Sequence, residues 1–165
     1  MNFKEKLQAV KCFVFDVDGV LTNGQLLVTH EGELLRSMNI KDGYALQLAI
    51  KEGYEVFIIS GAFSEGVIKR LNGLGIKDIF PGIPDKKQKL KELLVTKQLS
   101  PEEILYMGDD MPDIEVMEFC GVPCCPSDAI QQVKKISIYT SEKKGGEGCV
   151  RDIIEQVLIL HGKWK

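Results

Sequence analysis

The stretch Cys12-Phe13-Val14-Phe15-Asp16-Val17-Asp18-Gly19-Val20 joins an apolar run to a pair of carboxylates. The apolar run is typical of a buried parallel strand, whose carboxyl end lies at the sheet edge where open α/β folds bind ligands. Because alternate residues of an extended segment point the same way, we expect Asp16 and Asp18 to converge on one small site. Carboxylates so close repel each other unless a cation or a shared proton is present. The stretch therefore predicts a hard-metal site with a carboxylate nucleophile.

Strand-like and helix-like segments alternate along the rest of the chain, which predicts a doubly wound, Rossmann-like α/β fold with a parallel sheet. The predicted strands cover residues 11–15, 55–59, 78–80, 104–107, 122–125 and 136–139, and the predicted helices cover 43–52, 64–74, 86–97, 112–119, 129–133 and 148–161. Residues 25–28 and 33–38 flank a polar turn and predict a β-hairpin flap after the first strand. No gap between sheet elements reaches the roughly 60 residues that a cap domain needs for a core of its own. We therefore expect residues 1–165 to form a single domain without a cap.

The composition argues against several classes of function. The 165 residues include 24 acidic and 21 basic side chains, for a net charge of −3, and no basic stripe predicts nucleic-acid binding. No apolar stretch is long enough to cross a membrane, and residues 1–10 lack the apolar core of a signal peptide. The five cysteines include no CxxC pair, which favours reduced thiols. These features predict a cytoplasmic protein that binds neither nucleic acid nor membrane.

Four further elements follow predicted strands or begin predicted helices. Ser60-Gly61 comes after strand 55–59, Lys86 starts a helix, and Gly108-Asp109-Asp110 comes after strand 104–107 with Asp113 one turn later. Each element alone has an ordinary interpretation as a turn, a solvated lysine or a helix cap. The topology nevertheless brings all of them to the edge that carries Asp16. Their order along the chain is improbable as a coincidence.

This ordered set resembles the haloacid dehalogenase superfamily of phosphotransferases. Its four motifs match Asp16–Val20, Ser60, Lys86 and Gly108–Asp113, and the resemblance extends from residue 11 to about residue 150. Three further segments, residues 18–24, 41–44 and 145–152, are similar to the small capless branch of the superfamily. That branch contains phosphatases of 3-deoxy-D-manno-octulosonate 8-phosphate (KDO 8-phosphate), and close relatives act on nine-carbon ulosonate 9-phosphates. The resemblance thus implies a Mg²⁺-dependent sugar-acid phosphatase, a homotetramer and, for KDO, a role in lipopolysaccharide precursor synthesis.

The resemblance also implies roles for the three carboxylates nearest the predicted metal. Asp16 is expected to attack phosphorus and form an aspartyl-phosphate. Asp18 is expected to protonate the leaving sugar oxygen and then to activate water. Magnesium is expected to be held by Asp16, Asp109 and the backbone carbonyl of Asp18.

The remaining motif residues are expected to hold the phosphoryl group and to support the catalytic carboxylates. Ser60, the Gly61 amide and Lys86 would bind phosphoryl oxygens, and Lys86 would pair with Asp16 or its neighbours. Asp110 and Asp113 would orient Lys86 and a metal-bound water. A direct bond from Asp113 to the metal stays open at this point.

Substrate recognition is less specified, because a capless site must obtain its specificity from loops and neighbouring chains. Arg70 and Arg151 are the candidates for contacting the sugar acid, and the hairpin and residues 145–165 are the candidate segments. The glycines at the start of the last segment allow close approach to a ligand, or they simply turn the chain into its last helix. Ala62 stands where many relatives have a charged residue, which argues mildly against nine-carbon substrates.

A non-enzymatic phospho-receiver domain is the alternative from another class. It too combines carboxylates, a hydroxyl and a lysine on a doubly wound sheet. Receivers, however, place the acidic pair first and the phosphorylated aspartate on a later strand, whereas Asp16 here follows the first strand. A regulatory subunit and a phosphomutase are two further alternatives. Only the missing cap favours a regulatory subunit. A phosphomutase is disfavoured, because it normally needs a cap to shield its aspartyl-phosphate from water.

Overall fold

In the computed structural model, which describes residues 2–165, six strands form one parallel sheet and two more form a hairpin. The strands are β1 (Cys12–Phe15), β2 (Leu27–Val28), β3 (Leu34–Leu35), β4 (Glu55–Ile59), β5 (Asp78–Phe80), β6 (Ile104–Met107), β7 (Val122–Cys125) and β8 (Tyr139–Thr140). The sheet has the order β5-β4-β1-β6-β7-β8, and every neighbouring pair is parallel. The predicted doubly wound α/β fold is confirmed, with β1 at the centre of the sheet.

Within residues 2–165, seven α-helices cover the two faces of this sheet. They are α1 (Phe3–Gln8), α2 (Ile40–Lys51), α3 (Glu65–Gly73), α4 (Lys86–Lys97), α5 (Ile114–Phe119), α6 (Gln131–Ile136) and α7 (Cys149–Leu160). Phe13 and Phe15 pack with residues of α1, α2, α3 and α7 on one face, while Cys12 and Val14 pack with α4, α5 and α6 on the other. This alternation is what a strand buried on both faces requires. Within residues 2–165, none of the helices has the length and apolar character needed to cross a bilayer.

Two elements near the ends of the chain differ from the sequence prediction. Helix α1 was not predicted. A capping box stabilises its first turn: the Asn2 side chain accepts from the Glu5 amide, and the Glu5 carboxylate accepts from the Asn2 amide. The predicted strand 136–139 is wrong in position, because Ile136 ends α6 and pairing with β7 begins only at Tyr139. The Ser137 amide and hydroxyl both donate to the Val133 carbonyl, which closes the last turn of α6 at Ile136.

The predicted hairpin flap after β1 is confirmed, although its strands are shorter than expected. β2 and β3 pair antiparallel over two residues each, with Leu27 opposite Leu35 and Val28 opposite Leu34. A single bridge between Thr22 and Met38 closes the base of the hairpin. The paired apolar side chains lie largely in solvent, so the hairpin projects from the body of the fold instead of packing on it.

Helix α7 is capped from a distance by α2. Gly148, which precedes α7, has no side chain to cap the helix, and the buried Asp42 of α2 accepts a hydrogen bond from the Arg151 amide at 2.9 Å. Burial raises the pKa of Asp42 to about 6, although the amides at the start of α7 oppose this shift. The carboxyl group of Asp42 therefore links α2 to the first turn of α7, although its burial disfavours the charged form.

We expect Asp42→Asn to make the protein more stable than the wild type at neutral pH but not near pH 4. The folded-state pKa lies above the unfolded value of 3.8, so the folded protein holds the proton more tightly. The protonated Asp42 contributes this stabilisation in full below about pH 4, and the contribution is lost as the pH rises through about 6. The free energy of unfolding of the wild type falls by up to about 3 kcal/mol for this reason. Urea unfolding of both proteins between pH 4 and pH 8 measures the difference. Asp42→Ala, which removes the acceptor, should be about 1–2 kcal/mol less stable than Asp42→Asn at every pH, because neither replacement titrates. A difference between Asp42→Asn and the wild type that does not change with pH would contradict the prediction.

Candidate active site

The sheet order brings three loops together at one edge. Asp16 directly follows β1, Ser60 follows β4 and Gly108 follows β6, and β1 lies between the other two strands. An open pocket of about 180 Å³ lies over these strand ends. It is lined by Asp16, Asp18, Ser60, Gly61, Ala62, Lys86, Asp109, Asp110, Pro112 and Asp113. The structure thus gathers all of the motif residues into one cavity.

Asp16 is held at the floor of this pocket. The residue is buried, with a relative exposure of 7%. Its Oδ1 accepts a hydrogen bond from the Val17 amide at 2.8 Å and lies 2.9 Å from the Lys86 Nζ. Burial and the neighbouring Asp113 raise its pKa, and the Lys86 ammonium opposes them. The carboxylate therefore has one fixed orientation and a cation beside it, as a nucleophile needs.

Asp113 holds the Lys86 ammonium in place and also accepts hydrogen bonds from other groups around it. Its Oδ1 accepts from the Lys86 Nζ at 2.7 Å and from the Tyr106 hydroxyl at 2.9 Å, and its Oδ2 accepts from the Asp109 amide at 3.0 Å. Burial alone would lower the pKa of Lys86, but Asp16 and Asp113 more than offset this effect and raise it. Lys86 is therefore charged. Sequence reasoning missed Tyr106, whose only signal was a hydroxyl in an otherwise apolar strand.

The carboxylates at this edge fit a divalent cation. One oxygen each of Asp16, Asp109 and Asp113 lie within 4.8 Å of one another. The Asp109 Oδ1 is buried and has no hydrogen-bond partner within residues 2–165, and burial together with Asp16 and Asp113 raises the pKa of Asp109. Because the oxygens of Asp113 already accept from Lys86, Tyr106 and backbone amides, Asp16 and Asp109 are the carboxylates left to hold a metal.

Gly19 leaves the space that Asp109 occupies. Its φ is +87°, and a Cβ built on it would lie 1.8 Å from the Asp109 Oδ2. Gly108 similarly leaves room for Asp113, whose Cβ would lie 2.5 Å from an added methyl group. The glycines of both motifs are therefore needed so that carboxylates can pack directly against backbone.

We expect Gly19→Ala to lower metal-dependent turnover by roughly a hundredfold or more, because the methyl group must displace the Asp109 carboxylate. The measurement is kcat at saturating Mg²⁺, together with the Mg²⁺ concentration needed for half-maximal activity. Gly53→Ala is the matched control, since Gly53 has a φ of +88° but no atom within 4 Å of an added Cβ. It should carry only the backbone strain of about 1–2 kcal/mol. Equal activity losses in the two variants would show that strain, and not the clash with Asp109, is responsible.

Ser60 and Gly61 form the opposite wall of the pocket. The Ser60 amide donates to the Phe80 carbonyl at 3.0 Å and its carbonyl accepts from the Ile83 amide at 2.9 Å, so the loop is held at both ends. The buried hydroxyl of Ser60 accepts only a long bond from the Ala62 amide, at 3.2 Å. The hydroxyl can therefore donate to an anion in the pocket.

Asp18 contacts a residue that sequence reasoning missed. Arg36, at the end of the hairpin, donates from Nε to the Asp18 Oδ1 at 2.6 Å and from Nη2 to Oδ2 at 3.1 Å. The only sequence signal for Arg36 is that it is the one lysine or arginine between residues 25 and 38. The hairpin thus reaches the catalytic loop through a bidentate ion pair.

The structure does not bring Arg70 or Arg151 to the pocket of their own chain. Arg70 is exposed on α3, and its guanidinium lies against Gly43 of α2, where an added Cβ would come within 2.9 Å. The Arg151 guanidinium lies 5.7 Å from the Tyr44 ring centre and 5.2 Å from that of Trp164. Neither residue lines the cavity described above.

Gly145 and Gly146 pack against the backbone of the loop after β1 and do not line the catalytic pocket. A Cβ on Gly145 would lie 1.9 Å from the Gly19 carbonyl oxygen, and the Gly146 amide donates to the Val20 carbonyl at 2.9 Å. The expectation that this run allows close approach to a ligand is therefore wrong for these two residues. They support the loop that carries Asp18 instead.

Comparisons with known proteins agree with this geometry. A family of haloacid dehalogenase-like hydrolases matches residues 71–153. The chain is 34% identical over 154 residues to a Yersinia pestis protein named 3-deoxy-D-manno-octulosonate 8-phosphate phosphatase, covering 93% of this chain and 82% of that protein. The protein of that name from Escherichia coli K12 is 33% identical over 158 residues, which cover 96% and 84% of the two chains.

A solved structure shows the same fold with ligands. The Moraxella catarrhalis enzyme of that name, in complex with a magnesium ion, a phosphate ion and KDO, superposes with a TM-score of 0.92 at 32% identity. The match covers 95% of this chain and 90% of that one. The resemblance drawn from the motifs is confirmed, and the chain belongs to the haloacid dehalogenase-like hydrolase family.

Proposed function

We propose that the protein is a Mg²⁺-dependent phosphomonoesterase that hydrolyses KDO 8-phosphate to KDO and inorganic phosphate. The observation that carries this proposal is the fixed Asp16 carboxylate, which lies beside the charged Lys86 and the unpartnered oxygen of Asp109. The names of the Yersinia pestis and Moraxella catarrhalis relatives support the choice of substrate. A nine-carbon ulosonate 9-phosphate is the alternative substrate, and Ala62 argues mildly against it.

In the first step, a carboxylate oxygen of Asp16 bonds to phosphorus while the bond from phosphorus to the sugar oxygen breaks. Asp18 gives a proton to that sugar oxygen, which leaves as a hydroxyl group. Lys86, the Ser60 hydroxyl and the Gly61 amide hold the non-bridging phosphoryl oxygens, on which the charge of the transition state is spread. The product of this step is an aspartyl-phosphate.

In the second step, a water oxygen bonds to phosphorus while the bond from phosphorus to the Asp16 oxygen breaks. Asp18, now a carboxylate, takes a proton from that water. Inorganic phosphate leaves, and both aspartates return to their starting states. Lys86 stays paired with Asp113 throughout, so the cation does not have to be repositioned between the steps.

Asp16, Asp109 and the backbone carbonyl of Asp18 would hold the magnesium ion. When bound, it offsets the repulsion between carboxylates and phosphoryl group. Asp113 orients Lys86 through its hydrogen bonds, and Asp110, which lines the same pocket, would orient a metal-bound water. The carboxylate of Asp110 also accepts from the Met111 amide, which fixes its direction.

Beyond the single chain, we propose a cytoplasmic homotetramer of single-domain subunits in which neighbouring chains help to close each site. The exposed hairpin residues Leu27, Val28, Leu34 and Leu35 support an interface, since apolar patches of this kind usually mark association. In such an assembly Arg70 and Arg151 would contact the sugar acid of a neighbouring site. The five free, buried cysteines support a reducing compartment. Light scattering on an eluting size-exclusion peak tests the subunit number.

The deciding experiment compares kcat/KM for KDO 8-phosphate, nine-carbon ulosonate 9-phosphates and hexose phosphates, each with Mg²⁺ and with EDTA. We expect continuous turnover, a clear preference for KDO 8-phosphate and loss of activity in EDTA. A wide preference for a hexose phosphate would overturn the assignment of KDO 8-phosphate as the substrate. Incorporation of at most one phosphate per chain, without turnover, would identify a receiver and overturn the enzyme itself.

A further inference from the structure

Arg36 is nearly buried although it belongs to the projecting hairpin. Its side chain is 4% exposed, whereas the paired leucines of the same hairpin are 46–67% exposed. Nε and Nη2 donate to the two carboxylate oxygens of Asp18, and Nη1 donates to the Leu34 carbonyl at 3.2 Å. All three guanidinium nitrogens therefore have acceptors, and the planar fork is fixed by the hairpin backbone.

The two catalytic aspartates are held in different ways. Asp16 is fixed by the neighbouring Val17 amide and by Lys86, both of which belong to the body of the fold. The Asp18 side chain is 36% exposed, and within residues 2–165 its hydrogen bonds come only from Arg36. Without that partner, the Asp18 carboxylate would be free to turn into solvent. Its direction toward the pocket thus depends on the hairpin.

We propose that Arg36 is a positioning residue that holds the Asp18 carboxyl group toward the pocket, where it gives its proton to the leaving group and then, as a carboxylate, takes one from water. This inference rests on the proposed phosphatase function and adds a residue to it. Bidentate contact explains why an arginine serves here, because a lysine offers a single point charge and cannot fix the plane of a carboxylate. The hairpin therefore takes part in the reaction through the orientation of Asp18.

Arg36 also lines a groove outside the catalytic pocket. This groove, of about 380 Å³, runs between the hairpin residues 33–36 and the residues 63–67 at the start of α3. The placement of Arg36 therefore couples the hairpin to the atoms on which the leaving group depends.

The test compares leaving groups that differ in their need for a proton. Single-turnover release is measured for KDO 8-phosphate, whose alkoxide needs protonation, and for p-nitrophenyl phosphate, whose phenolate does not. We expect Arg36→Ala to slow release of the sugar by about 10- to 100-fold, the usual weight of general acid catalysis, and to change p-nitrophenolate release by less than about threefold. Arg36→Lys should recover only part of the loss. Lys69→Ala, which removes an exposed cation of α3, is the control and should change neither rate.

A double-mutant cycle separates positioning from a structural role. In an Asp18→Asn background, removal of Arg36 should cause no further loss of sugar release, because the carboxylate that it positions is already gone. Equal losses on both leaving groups, or additive losses in the double variant, would overturn the inference. If Asp18→Asn itself shows no selective loss on the sugar phosphate, the role of Asp18 in the proposed function fails instead. Thermal unfolding of each variant detects loss of fold. If Arg36→Ala does not fold, Arg36→Lys and Arg36→Gln take its place in both experiments.

Discussion

Replacing Asp16 with asparagine is expected to abolish turnover, with kcat lower by roughly ten-thousandfold or more, while the protein stays folded. An amide oxygen is a poor nucleophile toward phosphorus, and each other carboxylate of the pocket is engaged elsewhere. Asp113 is saturated with hydrogen bonds and Asp109 lies against Gly19. Asp18 is paired with Arg36, and Asp110 accepts from the Met111 amide. The measurement is release of inorganic phosphate from KDO 8-phosphate at saturating Mg²⁺.

The stability of Asp16→Asn should not fall below that of the wild type when metal is absent. Two buried carboxylates, Asp16 and Asp113, and the half-buried Asp109 share this site with a single lysine, and removal of one negative charge relieves their repulsion. Asp78→Asn is the matched control, since Asp78 lies at the start of β5 on the opposite edge and pairs with Lys97. It should keep its activity. Normal turnover in Asp16→Asn would refute the assignment of Asp16 as nucleophile.

Replacing Lys86 with methionine is expected to have the largest effect on stability. The side chain keeps its apolar stem but loses the charge that lies 2.9 Å from Asp16 and 2.7 Å from Asp113. Removal of one partner from a buried ion pair costs about 3–5 kcal/mol, because the other charge remains in a desolvated site. Activity should also be lost, since the phosphoryl oxygens lose their cation.

Unfolding of Lys86→Met in EDTA and in Mg²⁺ tests this explanation directly. A bound cation would compensate part of the uncovered negative charge, so the loss of stability should be larger in EDTA. Lys97→Met is the control on the other edge of the sheet, where the half-exposed lysine pairs with Glu55 and Asp78. That variant should lose about 1 kcal/mol or less. A Lys86→Met protein as stable as the wild type in EDTA would contradict the argument.

The central part of the fold could be predicted because its signals are local. The apolar run 12–15 ends at Asp16, the run 57–59 ends at Ser60, and strand 104–107 ends at Gly108, so the sheet edge could be identified from three strand ends. The helix 86–97 was predicted with its observed bounds, since Asp85 caps it and Lys86 begins it. Parallel strands buried on both faces give long apolar runs that are hard to confuse with loops.

The errors lie where local patterns compete or where contacts span the chain. The segment 136–139 contains β-branched residues, but tertiary pairing with β7 decides that only Tyr139 and Thr140 extend. Arg36 and Asp18 are 18 residues apart, and nothing in the sequence gives the angle at which the hairpin leaves the sheet. Arg151 could equally have faced a ligand or stacked on aromatic rings, and Tyr44 and Trp164 come from opposite ends of the chain.

The contact of Gly145 and Gly146 with the loop after β1 has a consequence for biosynthesis. The backbone around Gly19 and Val20, which carries the earliest catalytic residues to be translated, is completed by hydrogen bonds and packing from residues more than 120 positions later. β1 likewise needs β6 as its neighbour. Contacts of such large sequence separation form late and slowly. A ribosome-bound chain therefore holds Asp16 beside an unfinished loop until residues 145–149 have emerged and packed against Gly19 and Val20.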